Sequence, residues 1–294
     1  MPQSWPSLPL AQWQDTKDTL QLYTQIVGKI RMVLAPPEPQ WAHVTLYVTS
    51  RGLTTSPMPY HGETFQIDFD FIAHKLIVNK SDGKVGSLNL EARSVARFYE
   101  CVMSLLADLR ISVHITPMPQ EVPDPIAFTN DTTHSSYSAE YVHRFWHVLS
   151  LIDSTFKRHR APFRGRHSPV HFFWGGFDLA YTRHTGKPAS PPPNANFLYR
   201  TSMDVEEIYS GFWPGDARFP EPALACYVYP KPPDIERRVL RPSTAFWNAQ
   251  LGLFIVRYED IRTAQSPEDA ILEFLSSSYE ECASCAGWDR AVLG

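Results

Sequence analysis

The chain has 294 residues, of which 43% are hydrophobic and 20% are charged, and its formal net charge at pH 7 is −4. This composition is typical of a globular protein and excludes a largely disordered one. The negative charge disfavours non-specific attraction to nucleic acid or to an anionic membrane. Because no apolar stretch approaches the ~20 residues that cross a bilayer, and four cysteines are too few for a disulfide scaffold, we expect a soluble, cytoplasmic protein.

The first half of the chain predicts a helix, several antiparallel strands and a second helix. Apolar residues recur at helical spacing in residues 16–34. Residues 64–72 alternate Phe and Ile with polar side chains, which predicts a half-buried strand, and residues 75–90 are typical of a hairpin. A second amphipathic helix is predicted at residues 94–109.

The same order recurs after a proline-rich, acidic segment at residues 117–126, which we interpret as a linker. The second half predicts a helix, three stretches of strand and a closing helix, at residues 138–160, 168–183, 223–230, 244–261 and 267–286. We therefore predict an α+β fold of two similar lobes, residues 1–125 and 126–294, each built as helix–antiparallel strands–helix and related by an internal duplication. One continuous domain is the alternative. A cleft between the lobes is the expected ligand site.

Two patterns are compatible with metal binding, but both have simpler explanations. His143 and His147 have the spacing of helical metal ligands, yet they lie opposite the apolar face of their helix. Cys282 and Cys285 continue the apolar face of the last helix and lack two further ligands. No glycine-rich phosphate loop or other nucleotide-cofactor motif is present, so the sequence leaves the cofactor unknown.

Residues 157–167 carry five Lys or Arg residues and two His residues. Because guanidinium groups pair well with oxyanions, Arg164 or Arg166 could bind an anion. The alternative is that these cations only complement the dipole of the preceding helix at its C-terminus. We expect no nucleic-acid partner, because the rest of the chain supplies no second basic stripe.

The segment at residues 168–183 contains candidates for acid–base chemistry. As one continuous strand it would place His171 and Asp178 on opposite faces, because side chains alternate. A bulge at Gly175–Gly176 would shift the alternation and bring both residues to one side. The carboxylate could then orient the imidazole as a base, or Asp178 could simply form an ion pair with Arg183.

Several long segments resemble a bacterial family catalogued as domain of unknown function five-nine-nine-six. They include "LYVTSRGLTTSPMPY" (46–60), "FDFIAHKLIV" (69–78), "SPVHFFWGGFDLAYTR" (168–183) and "GFWPG" (211–215), and the resemblance covers essentially the whole chain. It implies no activity. Polar, basic and aromatic residues of both lobes lie in or beside segments that resemble the family: Lys29, Arg51, His134, Tyr137, His171, Trp174, Asp178, Arg183, Glu206 and Trp213.

These residues lead to one main functional prediction, the binding and optional conversion of a small anionic or polar aromatic molecule between the lobes. Arg51 and Arg183 would bind charge, Trp174 and Trp213 would wall the site, and His171 with Asp178 or Glu206 would exchange protons, so these three are the candidate catalytic residues. Lys29, His134 and Tyr137 complete the candidate ligand-binding set. Two alternatives remain open: an enzyme with one metal ion held by His171, His134 and a carboxylate, and a non-catalytic protein whose aromatic loops form a homodimer interface.

Overall fold

The amino-terminal helix is buried on every side, although its sequence is only partly apolar. In the computed structural model, which describes residues 5–293, this helix is α1 (Gln14–Leu34), and all of residues 19–31 are buried. A helix enclosed on all sides lies in the centre of a protein. Its buried polar side chains therefore need partners from the surrounding segments.

The first sheet follows α1 and is antiparallel, with strands ordered β1-β2-β4-β5-β6 and with β3 also paired to β4. The β4 strand buries Phe65, Ile67 and Phe69 in alternation, which confirms the half-buried strand predicted there. Its strands and the helix that follows are β1 (Tyr47–Val48), β2 (Gly52–Thr54), β3 (Met58–Tyr60), β4 (Glu63–Asp70), β5 (Lys75–Lys80), β6 (Val85–Asn89) and α2 (Val95–Asp108).

The second sheet is also antiparallel, with strands ordered β12-β13-β11-β10-β9-β7 and with β8 paired to β9. Helices α3 and α6 pack on one of its faces, and each begins at a serine whose side chain caps the helix. Its elements are α3 (Ala139–Arg160), β7 (Arg166–His167), β8 (His171–Phe173), β9 (Asp178–Pro188), α4 (Phe197–Ser202), β10 (Val205–Trp213), β11 (Ala223–Tyr229), β12 (Phe246–Asn248), β13 (Leu253–Arg257), α5 (Tyr258–Arg262), α6 (Pro267–Cys285) and α7 (Arg290–Leu293).

The protein therefore has an α+β fold with two antiparallel sheets, as the sequence predicts. The sheets meet at Leu46 and Phe172, whose backbones exchange two hydrogen bonds of 2.9 and 2.7 Å. The largest apolar core contains side chains from both sides of residue 125. The division at that residue and the internal duplication stay predictions. Within residues 5–293, no helix combines the length and apolar character needed to cross a membrane.

Residues 168–183 form a hairpin, so the prediction of one continuous strand is wrong. β8 and β9 pair antiparallel, with Phe173 opposite Asp178 and His171 opposite Ala180. The four residues between the strands turn the chain, and Phe177 adopts a positive φ of 59° there. Because opposed residues point to the same side, His171 and Asp178 share one face of the sheet. Cross-strand pairing, rather than the predicted bulge, brings them to that face.

Candidate functional site

The face of the second sheet opposite α3 and α6 forms the floor of a cavity of about 850 Å³. The cavity is walled by the 3-10 segment Pro39–Val44, by Gln120 and Glu121, and by α4. Residues from both predicted lobes therefore line it. Its volume lies within the range of ~300–1,000 Å³ that is typical of sites for small molecules.

Strand register places two tyrosines and two carboxyl groups together on this floor. Tyr209 of β10 lies directly opposite Tyr227 of β11, and their rings stack with centroids 4.8 Å apart. The Tyr209 hydroxyl donates a hydrogen bond to Oδ2 of Asp178 (2.6 Å), and the Tyr227 hydroxyl donates one to Oε1 of Glu207 (3.1 Å). We call these four residues the tyrosine–carboxyl cluster.

The hydrogen bond between Tyr209 and Asp178 depends on the absence of a side chain at Gly211. A Cβ atom at this position would lie 1.9 Å from the Tyr209 hydroxyl oxygen. Gly211 is opposite Ala180 and Ala225, so the neighbouring strands also present only small side chains. The small side chains around Gly211 therefore leave room for the Tyr209 ring to extend across the sheet toward Asp178.

Two glutamines of α1 hold the loops that border the cavity. Gln21 Nε2 donates to the carbonyl oxygen of Gly175 in the β8–β9 turn (2.6 Å). Gln25 bonds both the carbonyl oxygen (2.7 Å) and the backbone N–H (2.8 Å) of Gln120, the residue before Glu121. The buried polar side chains of the central helix thus fix the walls of the cavity relative to its floor.

Trp174 forms part of the cavity wall because α1 leaves space for its ring. A Cβ atom at Gly28 would lie 2.2 Å from that ring, so only glycine allows this approach. The indole Nε1 donates to the carbonyl oxygen of Val44 (2.8 Å), which ties the 3-10 segment to the turn. Other aromatic side chains complete the lining, namely Trp41, Phe173, Phe197, Tyr199, Trp213 and Tyr229.

Burial raises the pKa values of the carboxyl groups in the cavity. Desolvation raises the pKa of Asp178 to about 7, against the opposing effect of its hydrogen bond from Tyr209, and the charge of Glu121 adds a smaller increase. Desolvation likewise raises the pKa of Glu207 to about 7, against the opposing effect of its hydrogen bond from Tyr227. Desolvation also raises the pKa of Glu121, although this residue is partly open to solvent. Two carboxyl groups of the cluster can therefore exchange protons near neutral pH.

The cavity has more carboxyl groups than free cations. Arg218 on its wall is bound to Asp216 (2.7 Å), and Lys231 is bound to Glu236 (3.2 Å). Within residues 5–293, no Lys or Arg side chain lies within ion-pair distance of Asp178, Glu207 or Glu121. The imidazole of His184 lies 3.9 Å from the Glu207 carboxylate. When ionised, the lining attracts positive charge.

Three predicted site residues, Asp178, Trp174 and Trp213, line this cavity. Glu206 does not, because successive residues of β10 point to opposite faces and Glu206 lies on the face away from Glu207. Its carboxylate instead accepts a hydrogen bond from Thr185 (3.0 Å), and the adjacent Glu207 lines the cavity. The predicted site did not include Glu207, Tyr209 or Tyr227, although the alternation in β10 and β11 could have indicated that they share a face.

The two arginines expected to bind ligand charge lie elsewhere. Arg51 belongs to the first sheet, where its Nε donates to Oδ2 of Asp70 (2.7 Å). Arg183 is only 3% exposed and points to the opposite face of β9, among three aromatic rings at 4.3–5.5 Å from its guanidinium carbon. Neither residue lines the cavity, because strand alternation directs Arg183 away from Asp178.

The remaining candidates also lie outside the cavity lining. His134 Nδ1 contacts Oδ2 of Asp131 (2.8 Å), and the Tyr137 hydroxyl contacts Nδ1 of His74 (2.9 Å). Lys29 is buried in α1 with its ammonium 5.8 Å from the Trp174 ring, and desolvation lowers its pKa. These side chains serve local structure around the central helix.

His171 is separated from Asp178 although both lie on the same face. Its Nδ1 contacts the Thr45 hydroxyl (3.2 Å), and it lines a second, smaller cavity. Burial, with smaller effects from the charges of Arg160 and Arg31, lowers the pKa of His171 to about 3. In the described chain, no three His, Cys, Asp or Glu residues are grouped so that they could hold a metal ion, so the set of His171, His134 and a carboxylate gains no support.

Comparison with known proteins identifies a family but no activity. No curated protein and no solved structure matches the chain. A family model described as a family of unknown function, DUF5996, matches residues 5–294, which is essentially the whole chain. The protein therefore belongs to the DUF5996 family of unknown function.

Proposed function

We propose that this protein binds a small organic molecule that carries a protonated nitrogen on an aromatic body, in the cavity above the tyrosine–carboxyl cluster. The observation that carries the proposal is the combination of unpaired carboxyl groups and aromatic rings in one cavity. It retains the polar aromatic ligand expected from the sequence. It replaces the anionic ligand, because Arg51 and Arg183 do not line the cavity.

The aromatic lining supports a cationic ligand for a physical reason. The face of an aromatic ring attracts a cation, by about 0.5–1 kcal/mol at exposed sites and by ~2 kcal/mol where water is excluded. Flat rings on the ligand can also stack against Trp174, Trp213 and the Tyr209 ring. A carboxylate beside these rings then supplies the counter-charge and a directional hydrogen bond.

The pKa values of Asp178 and Glu207 connect binding to proton transfer. With pKa values of about 7, both groups are partly protonated at neutral pH. A bound ammonium group favours the ionised form, so binding should release a proton. The same groups are suited to accept or donate a proton if the ligand reacts. The hydroxyl groups of Tyr209 and Tyr227 would orient the carboxyls during such a transfer.

The proposal is tested with a pair of ligands that differ mainly in charge, tyramine and 4-hydroxyphenylacetate. Titration calorimetry should show tighter binding of tyramine, by about tenfold or more, because a charge-assisted hydrogen bond contributes ~1.5–3 kcal/mol. Its affinity should rise between pH 6 and pH 8, since Asp178 and Glu207 ionise there while an alkylamine stays protonated up to about pH 10.

A matched pair of variants locates the binding site. Asp178→Asn should weaken tyramine binding by about tenfold, whereas Asp82→Asn, in the exposed β5–β6 turn, should leave it unchanged. Equal affinity for the two ligands, or equal affinity of the two variants for tyramine, would contradict the proposal.

A further inference from the structure

A second cavity, of about 170 Å³, lies beside the larger one and shares Gln40, Phe173 and Thr182 with it. This volume is several times the ~30 Å³ that one water molecule occupies in the liquid, so a small oxyanion fits. The remaining lining comes from the segment before the first sheet and from β7, β8 and β9: Glu38, Pro39, Ala42, Arg166, His167, Ser168, Pro169, His171 and His184. The cavity therefore combines one guanidinium group with three imidazoles.

Three guanidinium groups, those of Arg166, Arg160 and Arg31, create a positive potential around this cavity. In the described part of the chain, none of them has a carboxylate within ion-pair distance: Arg166 contacts the amide of Gln40 (3.4 Å), and Arg160 and Arg31 donate to backbone carbonyl oxygens. The one carboxylate in the lining is Glu38, which is exposed. Outside the lining, Oε2 of Glu207 lies 3.9 Å from Nδ1 of His184. The guanidinium of Arg166 is thus the lining group that lacks a carboxylate partner within residues 5–293.

His167 lies beside the cavity in contact with Arg160 and with the backbone. Nη1 of Arg160 lies 2.9 Å from Nδ1 of His167 and 2.7 Å from the carbonyl oxygen of Ser168, and Nδ1 of His167 is itself 3.1 Å from that carbonyl oxygen. Arg166 and His167 are consecutive residues of β7, and both belong to the lining of the cavity.

His171 and His184 form the buried wall of the same cavity. They are 2% and 3% exposed, and the buried Nδ1 of His184 has no hydrogen-bond partner within residues 5–293. Burial, with a smaller effect from the charge of Arg166, lowers the pKa of His184 to about 4, so both rings are neutral at pH 7. An anion in the cavity would supply Arg166 with a partner of opposite charge.

We propose that the smaller cavity binds a phosphate group through the guanidinium of Arg166, with His171 and His184 as the buried wall. Arginine matches phosphate because its planar fork can donate two parallel hydrogen bonds. The inference concerns a different cavity and a different ligand class from those of the proposed function, and it stands without that proposal.

The test is a titration of the 294-residue protein with inorganic phosphate at constant ionic strength. Calorimetry and phosphorus NMR measure the binding. Arg166→Gln should weaken phosphate binding by about tenfold or more, because it removes charge-assisted hydrogen bonds. Arg164→Gln is the matched control, since it removes the same charge from an exposed residue that does not line the cavity. Failure of the unmodified protein to bind phosphate, or an equal loss in both variants, would overturn the proposal.

Phenyl phosphate distinguishes a free phosphate ion from a phosphate ester. If it binds more tightly than inorganic phosphate and Arg166→Gln weakens both, the site anchors an ester whose organic part extends into the larger cavity. Equal affinity, with the same loss in Arg166→Gln, assigns the site to the free ion. Asp178→Asn should leave inorganic phosphate binding unchanged, so failure of this site and failure of the amine site are separable. Phenyl phosphate binding that Arg166→Gln does not weaken contradicts the proposal.

Discussion

The two faces of the second sheet bury polar groups of opposite charge in different ways. On the face covered by α3 and α6, the guanidinium of Arg183 is enclosed by the rings of Phe163, Tyr181 and Tyr279 and donates to the carbonyl oxygen of His159 (2.8 Å). On the other face, the carboxyl of Asp178 borders an open cavity. A buried charged residue in a strand therefore indicates a ligand site only when a cavity adjoins it.

The same difference appears in the ionisation of neighbouring groups. On the helix-covered face, burial and the charge of Arg183 lower the pKa of His159 to about 3, and its Nδ1 lies 2.6 Å from the Tyr181 hydroxyl. On the cavity face, burial raises the pKa of Asp178 to about 7. The helix-covered face thus keeps a permanent cation among neutral groups, whereas the cavity face has groups that change charge at neutral pH.

The largest effect on stability should come from Arg183. Arg183→Ala should lower the free energy of unfolding by about 2–4 kcal/mol, because it leaves a cavity among three aromatic rings. Arg183→Met should cost much less, since an apolar side chain of similar length fills the same space without a buried charge. Urea denaturation measures both changes. If the alanine variant is fully stable but no longer binds tyramine, Arg183 is a ligand-binding residue and the contrast between the faces is wrong.

Asp178→Asn should raise the free energy of unfolding rather than lower it, and the size of this gain should depend on pH. The folded-state pKa of about 7 lies above the ordinary value of 3.8, so the folded protein holds this proton longer than the unfolded chain does. The corresponding stability is complete below about pH 4 and is lost as the pH rises through 7. Asparagine does not ionise, so the variant should gain about 1–2 kcal/mol over the parent at pH 8, a value reduced for the half-buried position.

Thermal or urea unfolding of this variant at pH 4.5 and at pH 8 checks the sign. The gain from Asp178→Asn should be larger at pH 8. If the stability of the variant relative to the parent instead falls as the pH rises, the Asp178 carboxylate is stabilised in the folded state by a cation, and the two faces are electrostatically alike.

The smallest effect is expected from Tyr209→Phe, which removes one hydrogen-bond donor. Because the Tyr209 hydroxyl lowers the pKa of Asp178, its loss should move that pKa upward from about 7. The cost to stability should be about 0.5–1.5 kcal/mol. Carbon NMR of the aspartate carboxyls measures the titration, with Tyr181→Phe on the other face as the control. A shift of the Asp178 titration in the control variant alone would contradict the assigned contact.

Local patterns predicted the helices well because their determinants lie within a few residues. Helical periodicity predicted ends close to those of α1 (Gln14–Leu34), α2 (Val95–Asp108) and α6 (Pro267–Cys285). Alternation also identified β4, whose apolar residues are buried on one side. Each of these signals is a property of the segment itself, so no knowledge of its neighbours is needed.

The candidate site was predicted only in part, because the face on which a side chain lies depends on how its strand pairs with its neighbours. Trp174, Trp213 and Asp178 were found, but the turn at residues 174–177 was interpreted as part of one strand. Glu207 rather than Glu206 lines the cavity, because successive side chains of β10 point to opposite faces and the pairing with β9 decides which of them faces the cavity. Gly211 adds a further condition that is visible only when Tyr209 and Asp178 are placed on adjacent strands.

The sequence by itself determined the α+β class, the family, the helices and the concentration of polar and aromatic residues around Trp174 and Asp178. Only the tertiary structure decided which of these residues meet. Strand register brought Tyr209 and Tyr227 to the carboxyl groups, and it sent Arg183 into the helix-covered core. The physical reason is that periodicity specifies alternation along a strand, whereas pairing between distant strands specifies the side on which each alternate residue lies.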